Sequence, residues 1–244
     1  MPVFAGVDRD GTQMLDAARG ARPLPFPAAA VVGVAAALAA AVPLDRGFAL
    51  LPAGSAPARG AWMLALTLSG LFFAGKAGLR ATPYDLKRPL ATVVGIAVAL
   101  GLAIAALDLA APRSILLPGF LDGLRETPTL VRIEYYAVRA FGEDVVYRLF
   151  LMSLLAAAGA GLWRQRPASV YWLAIIAAQL LNVTLTCWAY TELTPAMALY
   201  TVIRLVLPGV LWGYLYWRHG FLTATLTHVA THLVYQPLMT LALG

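Results

Sequence analysis

The chain has 244 residues, of which 61% are hydrophobic and 12% are charged. A soluble domain of this length carries about twice that charged fraction, so the composition excludes an ordinary water-soluble globular protein. The net charge of +6 comes from basic residues scattered between apolar runs, a pattern that does not form the continuous basic stripe of a nucleic-acid-binding protein. The single cysteine, Cys187, excludes both a disulfide framework and a metal–thiolate cluster.

Residues 1–24 are a polar segment with both acidic and basic side chains, which argues against a cleaved signal peptide. Residues 25–244 are predicted to be one integral-membrane domain, because a spanning helix needs roughly 20 mostly apolar residues and such runs recur throughout this range. The predicted fold is all-α, a polytopic bundle of about seven or eight transmembrane helices around a polar cavity. The predicted spans are about 25–43, 60–79, 89–110, 134–162, 168–190, 195–217 and 220–242.

Glu143, Asp144 and Arg148 lie at the head of the apolar run of the fourth predicted span, in the stretch "RAFGEDVVYRLFLMSLLAAAGAGLW" at residues 139–163. Asp144 and Arg148 are spaced i and i+4, so they are predicted to form a structural ion pair on one helix face. Glu143 points about 100° away from Asp144, and we expect it to lack a basic partner at helical spacing. Such a carboxylate is suited to act as a general base. The alternative is a buried glutamic acid that makes a packing hydrogen bond.

Two residue pairs in the following spans share a helix face. Gln179 and Asn182, at i and i+3 in "AAQLLNV", are typical of amides that hold transmembrane helices together. Gly209 and Gly213, in "PGVLWGYLYW", form a small-xxx-small pattern that favours close helix packing.

Arg204 lies within the sixth predicted span, where an unpaired charge is costly. We expect it to pair with an acid such as Glu192 or Asp108. The alternative is that Arg204 binds a substrate carboxylate.

The last predicted span, "GFLTATLTHVATHLVYQPLM", carries a polar stripe formed by Thr225, His228, His232 and Tyr235. Two histidines at i and i+4 suit either a bound metal ion or hydrogen-bond donation to one oxyanion. The alternative is a structural histidine pair between helices.

Together these motifs resemble the CAAX-protease and bacteriocin-processing family of intramembrane proteases, which includes the Ras-converting prenyl protease. The family's Glu-Glu-x-x-x-Arg motif reads "EDVVYR" here, and its last motif fits "GVLWGYLYWRHGFLTATLTHVATH". The middle motif, Phe-x-x-x-His, fits "IAAQLLN", so Ile175 replaces phenylalanine and Gln179 replaces histidine. The family-like core covers about residues 134–242.

The resemblance implies that Glu143 activates a water molecule for attack on a peptide carbonyl, and that His228 and His232 stabilise the oxyanion. Gln179 stands in the place of the histidine that assists the glutamate, but an amide does not transfer protons. The resemblance implies neither a cofactor nor a metal ion. Three further motif residues are expected to support the site: Asp144, Arg148 and Asn182.

The predicted function is therefore a glutamate-dependent intramembrane endopeptidase that cleaves a membrane-bound or lipidated protein or peptide. Its predicted partners are that substrate and the lipid bilayer, not nucleic acid, and its predicted location is a bacterial cell membrane, which it crosses several times. One alternative is a catalytically impaired relative that binds peptides as a chaperone or immunity protein. A second is a zinc-dependent membrane hydrolase with Glu143, His228 and His232 as ligands. Convergence of the site residues on one water-sized gap would favour the protease.

Overall fold

The computed structural model describes residues 55–81, 87–117, 119–162, 167–187 and 193–244. Regular structure in these ranges is helical, with no strand, so the all-α prediction is confirmed for them. A single 3₁₀ turn, Arg113–Ile115, lies between the second and third helices. The helices are α1 (Ala56–Ala77), α2 (Lys87–Ala110), α3 (Phe120–Glu126), α4 (Thr129–Leu162), α5 (Ala168–Cys187), α6 (Pro195–His219) and α7 (Phe221–Leu243).

Four helices in the described ranges, α1, α2, α4 and α6, are long and apolar enough to cross a membrane. The apolar part of α5, Ala168–Thr184, is shorter, and the threonines and histidines of α7 lower its hydropathy. The predicted span at 25–43 lies outside the described residues, and each of the other predicted spans coincides with a helix. The structure thus supports four spans and leaves the predicted total of seven or eight as a prediction.

Helix α4 runs for 34 residues and changes its hydrogen-bonding pattern in the middle. It is α-helical up to Glu143, π-helical over Asp144–Met152, and α-helical again from Ser153. Because π-helical hydrogen bonds join residues five apart, this segment changes the relative direction of the side chains before and after it. A second π-helical segment, Val202–Val206, interrupts α6. Both segments carry or adjoin residues of the predicted site.

The π-helical segment of α4 lies at the centre of the bundle and contacts α1, α5, α6 and α7. Tyr147, Leu149 and Met152 from this segment are almost fully buried, together with Tyr216 of α6. The Tyr216 hydroxyl lies 2.8 Å from Ser153 Oγ, so the one polar atom of this ring has a partner in the core. Helix α7 makes its most extensive contact with α2. The centre of α4 is therefore fixed from several sides.

The glycines of α6 contact α5, which confirms the predicted close packing of a small-residue face. A Cβ atom at Gly209 would overlap the side-chain amide of Gln179. A Cβ atom at Gly213 would lie 2.8 Å from Cγ2 of Ile175, also shorter than a normal contact. The two side chains of α5 that fill these gaps are the ones at the positions of phenylalanine and histidine in the family's middle motif.

Replacing Gly209 by alanine is expected to destabilise the protein by about 1–3 kcal/mol, because the added methyl group overpacks the contact with Gln179. The measurement is the thermal unfolding midpoint of the purified protein in detergent. Gly75→Ala is the matched control, since a Cβ atom there meets nothing within 4 Å. The double variant Gly209→Ala with Gln179→Ala should recover part of the loss. An unchanged midpoint for Gly209→Ala alone would contradict the packing.

Candidate active site

The four predicted catalytic side chains, Glu143 from α4, Gln179 from α5, and His228 and His232 from α7, line one cavity of about 310 Å³. The cavity therefore brings together residues that are up to 89 positions apart in the chain. Its volume is that of a space for a short peptide segment and several water molecules. Other polar side chains on its wall are Arg139, Asn182, Arg204 and Gln236.

Glu143 is paired with a basic residue, contrary to the expectation that it has none. Arg139 Nε donates to Glu143 Oε1 over 2.8 Å, and the glutamate side chain is 16% exposed. The two residues are spaced i and i+4 on the same α-helical turn. The sequence contained this signal, so the expectation of a carboxylate without a local cation was wrong. Arg139 holds Glu143 against the cavity wall and balances its charge.

Asp144 forms the predicted ion pair with Arg148 and also contacts α7. The Asp144 side chain is completely buried, and Arg148 Nη1 donates to its Oδ1. The same oxygen lies 3.2 Å from His228 Nδ1. An ionised carboxylate only accepts hydrogen bonds, so Nδ1 of His228 carries the proton of this contact. Asp144 therefore links the head of the π-helical segment to the histidine helix, a contact that the sequence did not predict.

Aromatic side chains fix the orientation of both histidine rings. The ring of His228 stacks on Trp212 with centroids 3.7 Å apart, and the ring of His232 stacks on Tyr136 at 5.0 Å. The two imidazole centroids lie 5.4 Å apart. Nδ1 of His232 is buried and has no hydrogen-bond partner among the described residues. Both histidines thus reach the cavity from a rigid helix with little rotational freedom.

Gln179, at the position that resembles the family's histidine, is buried and fixed by α6. Its Nε2 donates to the carbonyl oxygen of Leu205 over 3.1 Å, within the second π-helical segment. Its side chain also fills the space left by Gly209. Asn182, one turn further along α5, is buried and lines the same cavity. The side-chain amide therefore has a defined position between α5 and α6.

A second buried polar network is centred on Asp108 of α2, which is not exposed at all. Its Oδ1 accepts from Arg204 Nε at 2.7 Å and from the Tyr200 hydroxyl at 2.6 Å. Its Oδ2 accepts from Arg204 Nη2 at 3.0 Å and from the Tyr235 hydroxyl at 2.6 Å. The predicted pairing of Arg204 with an acid such as Asp108 is confirmed as a bidentate contact. This network joins α2 to α6 and α7 at the cavity wall.

The zinc-dependent alternative finds no ligand set in the described ranges. No group of three or more histidine, cysteine, aspartate or glutamate side chains there is arranged to hold a metal ion. Glu143 and His228 instead contact Arg139 and Asp144 respectively. Two of the three ligands that this alternative needs are thus engaged with other side chains.

Replacing Asp144 by asparagine is expected to destabilise the protein by roughly 3–5 kcal/mol, because it leaves the buried Arg148 guanidinium without its counter-charge. The expected result is a lower yield of folded protein from membranes and a lower unfolding midpoint. The double variant Asp144→Asn with Arg148→Gln should recover part of the loss. Unchanged yield and midpoint combined with lost activity would show that Asp144 acts in catalysis and not in support.

The helices and the internal polar cavity define a helical integral membrane protein with a site enclosed between its helices. Residues 126–234 match the family model described as type II CAAX prenyl endopeptidase, Rce1-like, so the family predicted from the motifs is confirmed for this part of the chain. The matched range contains Glu143, Gln179, His228 and His232, and it supports a protease. Among curated proteins and among solved structures, none shows significant similarity to the chain.

Proposed function

We propose that the protein is a glutamate-dependent intramembrane endopeptidase that cleaves a membrane-bound or lipidated protein or peptide. One observation carries this proposal: within the family-matched range, Glu143 shares a cavity wall with Gln179, His228 and His232. Hydrolysis of a peptide bond needs an activated water molecule and donors to the oxyanion, and a general base, a hydrogen-bonding amide and two imidazoles can supply both.

In the proposed reaction, a water molecule lies between Glu143 and the side-chain oxygen of Gln179. The Glu143 carboxylate takes one proton while the water oxygen bonds to the peptide carbonyl carbon, and the carbonyl electrons form an oxyanion. The carbon–nitrogen bond then breaks, and the protonated Glu143 returns the proton to the departing amine. The products are a new carboxylate and a new amino terminus, so Glu143 regains its starting state.

The histidines supply the oxyanion donors in this proposal. In this role His228 donates from Nδ1 to Asp144 and from Nε2 to the oxyanion, which requires a proton on each ring nitrogen. His232 donates from the next turn of the same helix. Because Trp212 and Tyr136 stack on the two rings, the donors are oriented before the substrate binds.

The test is cleavage by the purified protein reconstituted in liposomes, with a reporter peptide that ends in a prenylated cysteine and three further residues. Mass spectrometry of the released fragments identifies the cleaved bond, and a matched reporter without the prenyl group tests the need for the lipid. Cleavage of either reporter at one bond supports the endopeptidase. Saturable binding of a reporter without any cleavage would instead identify a peptide-binding relative that does not catalyse.

A further inference from the structure

Gln236 is a buried amide on the cavity wall whose side chain has no hydrogen-bond partner in the part of the chain that the structure describes. It lies on α7 one turn after His232, and its exposure is 0%. Neither Oε1 nor Nε2 has a partner within the described residues, whereas the amide of Gln179 bonds to Leu205. Burying a side-chain amide without a partner is unfavourable, and polar groups in protein interiors are almost always paired. A ligand bound in the cavity would supply the hydrogen bonds that this side-chain amide lacks.

The backbone at Gln236 is held firmly, although the side chain is not. Its carbonyl oxygen accepts from Arg132 Nη2 at 3.3 Å and from Thr240 Oγ1 at 3.1 Å. Arg132 is itself buried and also donates to the carbonyl of Leu124, which ties α7 to α3 and α4. Pro237 follows and restricts the chain at this point. The amide is therefore presented from a fixed position, which lowers the entropy cost of binding.

The charges around the cavity show what kind of ligand the amide suits. Each arginine on the wall faces a carboxylate, so the wall offers no guanidinium without a counter-charge in the described structure. An amide that needs one donor and one acceptor complements an uncharged group that supplies both on one side, and the backbone N–H and C=O of one residue in an extended chain do so. The three pairs are Arg139–Glu143, Arg148–Asp144 and Arg204–Asp108.

We propose that Gln236 is a substrate-binding residue that holds the backbone of one substrate residue in an extended conformation. Its Oε1 accepts from the N–H of that residue, and its Nε2 donates to the carbonyl oxygen of the same residue, because both groups point to the same side of an extended chain. One turn of helix separates Gln236 from His232, a rise of about 6 Å, and an extended chain advances roughly 3.3 Å per residue. The bound residue therefore lies about two residues from the scissile bond. This placement identifies the backbone N–H that the test removes. This inference rests on the proposed endopeptidase function and adds a subsite to it.

The experiment is an amide-to-ester scan of the prenylated reporter with the full-length protein in liposomes. Each backbone amide except the scissile one is replaced in turn by an ester, which removes the N–H donor. For the wild type, one ester about two residues from the scissile bond should lower kcat/KM by about fivefold to tenfold, the effect of one hydrogen bond. Gln236→Met has a similar volume but no amide, and it should lower kcat/KM of the all-amide reporter by about tenfold. With Gln236→Met, the same ester should cause no further loss.

Thr227→Val is the matched control on the same helix. Thr227 is fully buried, and its hydroxyl donates to the carbonyl of Thr223 in its own helix. This variant should keep the position-specific ester effect of the wild type. If Gln236→Met does not fold, Gln236→Asn retracts the amide by one methylene and should weaken the same ester effect.

The outcomes separate the subsite from the function on which it rests. Suppose that the wild type cleaves the reporter and that the ester lowers kcat/KM equally for the wild type and for Gln236→Met, or for Gln236→Asn where that variant replaces it. The subsite is then wrong and the endopeptidase stands. If the wild type cleaves no reporter, the proposed function is wrong and the subsite falls with it. An ester effect that disappears only in the Gln236 variants supports both.

Discussion

Cleavage of the reporter is expected to be nearly abolished when Glu143 is replaced by glutamine. The substitution preserves the size and hydrogen-bonding reach of the side chain but removes the only proton acceptor that the proposed reaction uses. Loss of general-base catalysis lowers rates by about 10²–10⁴-fold, and the loss is at the upper end when no second base is present. Binding of the intact reporter should persist, because the cavity keeps its shape. The measurements are single-turnover cleavage and reporter binding.

Arg139→Gln provides the matched control for this result. It removes the same ion pair from the other side while leaving the Glu143 carboxylate in place. This variant should keep measurable cleavage, with the unfolding midpoint of both variants reported alongside. Equal cleavage by the wild type and Glu143→Gln would refute the glutamate mechanism.

Introducing histidine at position 179 is expected to raise the cleavage rate, by at most about 10²–10⁴-fold. The Leu205 carbonyl that now accepts the Gln179 amide would accept one ring N–H, which fixes the tautomer. The other ring nitrogen is then an acceptor beside the attacking water. The carboxylate of Glu143 would share the proton transfer that it now performs alone. The measurement is kcat/KM for the reporter at matched expression.

Gln179→Asn is the control for this substitution, because it keeps an amide without adding a titratable group. Little activity in Gln179→His, together with none in the wild type, would indicate a non-catalytic relative whose site residues are no longer held in the precise geometry that catalysis needs. A well-folded Gln179→His that cleaves more slowly than the wild type would contradict the role given to this position. Because Gln179 packs against Gly209, substitutions at position 179 can also change stability, so the unfolding midpoint of each variant is measured as well.

Hydropathy was sufficient to locate the long helices, since every predicted span within the described residues coincides with one, but the short helix α3 was not predicted. The start of α4 was predicted at residue 134 and lies at Thr129, because the first turns of this helix are amphipathic and escape a test for apolar runs. The π-helical segments, Asp144–Met152 and Val202–Val206, were not predicted, because their hydrogen-bond pattern depends on packing against other helices.

Contacts of the site residues within one helix could be predicted from helical spacing, whereas contacts between helices could not. Helical spacing predicted the pair of Asp144 and Arg148 correctly. The same spacing rule also covers Arg139 and Glu143, but their ion pair was not predicted. The unpartnered amide of Gln236 has no signal in the sequence, because it depends on which side chains the other helices bring near.

The buried carboxylate of Asp108 makes the matched segment, residues 126–234, dependent on a helix outside it. Helix α2 lies outside residues 126–234, yet its Asp108 is the common acceptor for Tyr200 and Arg204 inside that range and for Tyr235 directly after it. A graft of residues 126–234 onto the amino-terminal half of another protein that the family model matches would leave the partly buried Arg204 guanidinium and the Tyr200 phenol without their acceptor, unless that half supplied an acid at the same depth. Chimeras between relatives should therefore be designed with positions 108 and 204 exchanged together.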